Sequence, residues 1–270
     1  MAHDEETHNL ESHSQSAASV ALLADAFPLD FGALVRMLGY RPPDAPSETP
    51  TRPSLPAALS RLVQDVFARG RALLDPAWHW QPIPISSDGP GDGIRCTGEA
   101  SVTLAVGPLI HAQLRGSVAL AAFVVTIGPR LEREARRLLA GGRPLEGYLL
   151  DAVGSLATEA VADRLQAEVA AEFATRGWKT TNRFSPGYCT WETAGQQALF
   201  SLLPPTPACV SLSPSSLMTP LKSVSGLIGL GPAVQYEPYR CDLCALTTCQ
   251  QRLTEARFSA RPVVGAPSRQ

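Results

Sequence analysis

Residues 183–192 read RFSPGYCTWE, an arginine just ahead of a forced turn with a tyrosine five positions on. Arg183 offers a rigid fork of N–H donors that suits a carboxylate or a phosphate. Pro186-Gly187 fits a type II turn, with Gly187 supplying the positive φ at its third position. Such a turn exposes backbone amides and lets a ligand approach closely. Tyr188 adds a flat ring and one hydroxyl. These parts could hold an amino acid or a nucleoside. They also make an ordinary surface turn closed by an arginine salt bridge, and spacing alone favours that plainer reading. A second group is Cys241, Cys244 and Cys249, spaced C-x2-C-x4-C. Three thiolates at this spacing could ligate zinc or an iron–sulfur cluster, with Cys189, Cys209 or a partner residue completing the set. Unligated thiols are the third option.

The chain that must position these residues has 270 residues, a formal charge of −2 and 44% apolar residues. That is enough for a real core in one large domain or two small ones. A near-neutral balance argues against a general nucleic-acid or anionic-membrane binder, which needs a basic excess. The longest apolar run, Val118 to Ile127, is too short to cross a bilayer. The start, MAHDEETH, is acidic and polar, unlike a secretory signal, so the expected location is cytoplasmic. In that compartment a cysteine cluster points to metal or redox chemistry rather than to a structural disulfide.

Residues 1–18 and 259–270 have the composition of disordered tails. His3, His8 and His13 fall in the first tail, where solvation is the plain reading and metal binding the sharper one. The segment 19–258 is expected to form a single domain. Apolar spacing over Ser19 to Tyr40 predicts two short helices split at Pro28. Six prolines in 41–56 make an extended connector. A helix follows, with Leu59, Leu62 and Val66 inward, and His79 is expected in the loop after it. Ala100 to Val106 alternates like a half-buried strand, and Leu109 to Leu114 is expected as another. Val118 to Ile127 reads as a central strand. Gly128-Pro129 opens a helix with Leu131, Ala135, Leu138 and Leu139 inward, and Gly141-Gly142 closes it. The longest helix runs from about Leu145 to Thr175, with an apolar stripe at Val153, Ala157, Val161, Leu165, Val169 and Phe173. Glu159 lies off that stripe and faces solvent or a cleft. A short helix over Glu192 to Leu203 and strands at 209–213 and 222–231 complete the pattern. This irregular mixture is α+β, a twisted antiparallel or mixed sheet with helices packed on it.

The run RFSPGYCTWETAGQQALFSLL, followed by VSLSPSSLMTPLKSVSGLIGLG, resembles the activation (reactivation) domain of cobalamin-dependent methionine synthase, in its short free-standing bacterial form. LLDAVGSLATEAVADRL (149–165) is similar to the family helix carrying D-A-x-G-S and a glutamate, and VVTIGPRLEREARRL to its strand–Gly-Pro–helix unit. The resemblance covers roughly Leu34 to Arg252, and its specificity lies in the combined order of the pieces. It implies an S-adenosylmethionine site with Arg183, Ser185, Gly187 and Tyr188 on the ligand turn and Glu159 on the helix. In that picture Arg183 pairs with the methionine carboxylate and the backbone near Ser185 bonds the adenine or ribose. Tyr188 packs on the ligand, and Glu159 offsets its ammonium or sulfonium. Tyr236 and Tyr239 are candidates for a late family tyrosine.

The resemblance also implies a mechanism. Cobalamin that stalls as cob(II)alamin is reduced uphill by one electron, and methyl transfer from S-adenosylmethionine to the transient cob(I) state drains the product. No D-x-H-x-x-G signature occurs in the chain. The cobalamin would therefore belong to a partner, a corrinoid methyltransferase such as a methionine synthase lacking its own activation domain, with the flat K-S-V-S-G segment docked near its corrin or simply packed as a strand. An electron donor such as flavodoxin or ferredoxin would supply the electron, and an iron–sulfur cluster on the three cysteines could relay it. The chain would then be an accessory subunit rather than an independent enzyme. The rival readings are an S-adenosylmethionine-dependent methyltransferase acting on another acceptor, and a metal-clipped electron-transfer or interaction module.

Overall fold

A computed structural model of the chain describes residues 29–42, 53–86, 91–97 and 101–237. Phe31–Met37 is α1 and Ala57–Ala72 is α2. Strands β1 (Ala77–Ser86), β2 (Gly93–Cys96) and β3 (Val102–Ala105) follow, then the short helix α3 (Gly107–Gln113) and β4 (Ala119–Thr126). Helices α4 (Arg130–Ala140) and α5 (Pro144–Ala174) lead to β5 (Lys179–Phe184) and α6 (Gly195–Ser201). A turn of 3₁₀ helix at Pro207–Cys209, the two-residue strands β6 (Ser211–Leu212) and β7 (Met218–Thr219), and β8 (Ser223–Gly231) end the described part. One sheet runs β3-β2-β1-β4-β8-β5 with every neighbouring pair antiparallel, and β6 and β7 form a separate hairpin. The fold is α+β.

The continuously apolar run becomes the central strand β4, buried at all eight positions. Alternation sends Ala119, Ala121, Phe123 and Val125 to one face, where α2, α4 and α5 cover them. Leu120, Ala122 and Val124 face the other way, onto Ile110 and Leu114 beside α3, Leu199 of α6, and Trp191. The sheet is therefore sandwiched, with a long-helix layer on one side and short helices on the other. The stripe of α5 at Val153, Ala157, Val161, Leu165, Val169 and Phe173 is buried throughout. On β8, a Cβ added to Gly226 would lie 2.4 Å from the Phe184 carbonyl oxygen, and one on Gly229 2.4 Å from Ser117 Oγ. The glycines of this strand let its neighbours approach closely.

The structure changes four of the expected elements. Leu109 to Leu114 belongs to and follows α3, opened by Gly107-Pro108, with Ile110 and Leu114 buried one turn apart. A short apolar run fits helix and strand equally, and the proline in the first turn decides. His79 is in strand β1, buried, with Nε2 3.2 Å from Gln81 Oε1. Pro82 and Pro84 fall within this strand. Pro84 turns its carbonyl away from β4 to accept the Thr97 N–H at 2.8 Å, and by alternation Pro82 and Pro84 both turn their nitrogens to that side, so the ladder with β4 loses no bond. Leu139 is half exposed and rests over Gly147 rather than in the core. The strand expected over 209–213 is a 3₁₀ turn and the two residues of β6. The tails 1–18 and 259–270, the first of the two short helices, most of the Pro-rich connector and the 241–252 cysteine cluster lie outside the described residues.

Two polar clusters fix how the long-helix layer meets the start of β8. Glu132, buried in the first turn of α4, accepts the backbone N–H of Leu221 at 2.7 Å and Arg136 Nη2 at 2.9 Å. Lys222 donates to Asp151 Oδ1 at 2.9 Å and Ser155 Oγ at 2.9 Å. Gly154 lets the lysine stem and Leu131 close in, since an added Cβ would meet Leu131 Cδ2 at 2.7 Å. This accounts for the D-A-x-G-S pattern of α5 without any ligand. On the outer face of α4, Glu134 bridges Arg137 and Arg69. The hydrogen bond from Arg137, then the Arg69 charge, holds its carboxyl down from 4.5 to about 2.

Replacing Glu132 by Ala removes the buried carboxylate that the Leu221 N–H and Arg136 share. It is expected to cost about 2–4 kcal/mol in urea unfolding, and an unchanged midpoint would show that the 219–222 loop is held by other contacts. The Glu134 carboxyl is more acidic folded than unfolded, so the stability it lends is present above pH 4.5 and drains away as the pH falls toward 2. The stability gap between the wild type and Glu134→Gln should close across that window in acid titrations followed by circular dichroism.

Candidate ligand-binding cleft

β5 is the edge strand beside β8, and a β-bulge interrupts it between Thr180 and Arg183. The bulge breaks the ladder, and Thr181 repairs it. Its hydroxyl accepts the Gly229 N–H at 2.8 Å, and its carbonyl accepts Gln166 Nε2 at 2.8 Å. Beyond the bulge Arg183 pairs with Ile228 and Phe184 with Leu227. Phe184 belongs to the core under α6, so alternation turns Arg183 toward α5.

There the guanidinium meets three side chains one and two turns apart on the helix. Nη1 donates to Asp163 Oδ1 at 2.7 Å and to Gln166 Oε1 at 3.2 Å, and Nη2 lies 3.4 Å from Glu159 Oε2. The arginine side chain is 19% exposed, against 61% for Glu159 and 72% for Asp163. The structure thus brings Arg183 and Glu159 together, as the sequence suggests, and shows Asp163 to be the nearer acid.

After Phe184 the chain leaves the sheet. Tyr188 N–H closes a turn onto the Ser185 carbonyl at 3.3 Å, with Gly187 at φ +93°. The loop is anchored by Trp191, which is buried and accepts the Gly187 N–H at its carbonyl, 2.8 Å. Ser185, Pro186 and Tyr188 line a cleft of about 380 Å³ together with Glu159, Asp163 and Arg183. Gly187 shapes the turn without forming part of the wall. The opposite side is supplied by Gln196 and by Ser223, Val224 and Ser225 at the start of β8. Tyr236 lies at the rim, largely exposed, and Glu237 N–H bonds Asn182 Oδ1 at 2.9 Å. Tyr239 lies outside the described residues.

Asp163 and Gln166 follow from Glu159 by helical spacing, a signal available in the sequence. Gln196 and Ser225 carried none, because only the folding of α6 over the sheet brings them to the cleft. Cys241, Cys244 and Cys249 lie outside the described residues. Among the described residues no group of His, Cys, Asp or Glu is placed to hold a metal. Cys96 is buried, and burial pushes its thiol up to about 12, so it is inert as a nucleophile or a ligand. No helix among the described residues is long and apolar enough to cross a membrane.

No curated protein matches the chain by sequence. Among solved structures, the crystal structure of the MetH reactivation domain bound to AdoHcy shares its fold. The TM-score is 0.54 at 19% identity, over 82% of this chain and 79% of that one. Residues 101–244 match the family described as vitamin B12 dependent methionine synthase, activation domain. The matched segment contains β3 through β8 and every charged residue of the cleft. Spanning more than half of the 270 residues, that match shows that the chain belongs to the family of vitamin B12-dependent methionine synthase activation domains.

Proposed function

We propose that this chain serves the reductive reactivation of a corrinoid methyltransferase, most simply a methionine synthase, as an accessory subunit that holds S-adenosylmethionine in the Arg183 cleft. The observation that carries this is the opposition of Arg183 to Asp163 and Glu159 across one cleft wall. A zwitterionic amino-acid end needs a cation for its carboxylate and an acid for its ammonium, and both stand here within one side chain's reach. The AdoHcy in the related reactivation domain is of the same ligand class. A cleft of about 380 Å³ is also in the range of small-molecule sites.

Magnitudes favour exchange. Both acids are mostly exposed, so each ion pair with Arg183 contributes about 1 kcal/mol or less. A ligand carboxylate can replace Asp163 on the guanidinium at little cost, and the released acids then face the ammonium or sulfonium. Tyr188 at the lip covers the nucleoside. The cobalamin of the partner supplies the nucleophilic metal, so the chain's own residues need only bind, orient and dock.

The finer assignments belong to the same reading. Ser185 and Gly187 hold the turn that meets the nucleoside. Cys241, Cys244 and Cys249 bind an iron–sulfur cluster or zinc. Glu237, the last described residue, is tied to the cleft rim through Asn182, and in the sequence the first of these cysteines follows it after three residues. An iron–sulfur cluster on these cysteines would pass an electron from a donor such as flavodoxin or ferredoxin. A colourless, metal-free protein purified without oxygen would remove this part.

The function is tested by following cob(II)alamin loss on a candidate partner with reductant and S-adenosylmethionine, with and without this chain. Acceleration is expected, and equal rates would overturn the proposal. In titration calorimetry Arg183→Ala should weaken S-adenosylmethionine by roughly 30-fold or more, with Arg183→Lys in between. The fold should survive because Asp163 and Glu159 remain in water. Unchanged heats would sink the arginine's role.

A further inference from the structure

The cleft has a second half that the charged wall does not explain. β5 stops accompanying β8 at the Phe184–Leu227 pair, two residues short of Ser225. Continuing the register would set Pro186 opposite Ser225, and proline has no N–H to give. The pairing of β8 with β4 is unbroken from Ser223 to Leu230, so its peptide groups alternate regularly between its two sides. Gly229 N–H points to β5, where it meets Thr181. By that alternation Ser225 also turns its N–H and carbonyl toward β5, into the gap the strand has vacated.

Gln196 lies beside this free edge, 5% exposed, and Ser225 is 2% exposed. Both line the cleft. Gln196 Nε2 donates to Ser225 Oγ at 3.2 Å. Its Oε1 has no partner among the described residues. Oε1 is not among the buried side-chain atoms that lack a partner, so it opens to the cleft and is free to accept a hydrogen bond there.

We propose that Ser225 and Gln196 form a neutral subsite for the base of the nucleoside ligand. Gln196 Oε1 accepts from the exocyclic amino group of adenine, and the Ser225 edge donates its N–H to a ring nitrogen. The bond from Nε2 to Ser225 Oγ sets which end of the carboxamide faces the cleft. The inference rests on the reading of the cleft as a sulfonium-nucleoside site, and it assigns the base to the wall opposite Arg183. The β8 edge and Gln196 then set specificity for the base, while Arg183 and its acids take the amino-acid end.

The test is titration of the full chain with S-adenosylhomocysteine and with its 6-deamino analogue, in which purine replaces adenine. The wild type should prefer the adenine ligand by about tenfold or more. Gln196→Met, of similar volume, should cut that preference to within about threefold, chiefly by weakening the adenine ligand. Ser225→Ala, which frees the carboxamide to rotate, should lower the preference by a smaller factor. Circular dichroism melts check each variant, and if Gln196→Met fails to fold, Ser225→Ala decides. A preference that persists undiminished overturns the subsite and leaves the Arg183 cleft standing. So does a wild type that binds both ligands equally. A wild type that binds neither ligand overturns both readings.

Discussion

Arg183 is a cation four-fifths removed from water at the edge of a sheet, and such a charge must be matched. The matching sets the local architecture. Helix α5 presents Glu159, Asp163 and Gln166 on one stripe while the opposite stripe of the same helix fills the core. The bulge in β5 sets the side chains beyond it, so that Arg183 reaches this polar stripe and Phe184 the core under α6. The Gln166 bond to the Thr181 carbonyl then locks helix to bulge from the other side. The ion pairs themselves are weak, since two of their members are solvated. Position, not strength, is what the fold secures.

The position depends in turn on β8. That strand lies between β4 and β5, and its glycines are what let Phe184 and Thr181 come close enough to pair with it. Its first residues are tied down by Glu132 and by Lys222 reaching Asp151 and Ser155. Those bonds join α4 and α5 to the very segment that lines the cleft. Pieces of sequence that look like ligand motifs thus divide into two roles. The D-A-x-G-S pattern and the lysine before S-V-S-G hold the frame, and the RFSPGY turn opens the gap.

What the sequence made legible follows from range. The α5 stripe, the central strand β4 and the helix opened at Gly128-Pro129 are set by contacts along the chain, and periodicity reports those directly. The pairing of Arg183 with Glu159 was readable because a family resemblance joined two distant segments. β1 was not legible, since it carries Pro82 and Pro84, which are harmless only because they turn their nitrogens away from β4, a fact that belongs to the topology. The α3 segment failed for another reason, since the six residues Leu109 to Leu114 carry too little period to distinguish helix from strand. Gln196 and Ser225 were invisible as a pair. They lie 29 positions apart, and only the layering of α6 on the sheet brings them together.

The two faces of the sheet give the cleft its chemical character. The α5 face carries the three charged side chains of the cleft, Glu159, Asp163 and Arg183, and the α6 face carries the neutral hydrogen-bonding groups Gln196 and Ser225. The cleft exists only where β5 has turned away, so it opens to both faces at once. A ligand that fills it must therefore carry a charged end and a neutral polar end on a single frame. Simple amino acids satisfy the first wall alone, and free nucleosides the second alone. A sulfonium nucleoside with an amino-acid tail, the ligand proposed for the cleft, carries both ends on one frame, and Tyr188 stands exposed at the lip. The Pro-Gly turn that ends one strand early is the step from which this two-faced cleft follows.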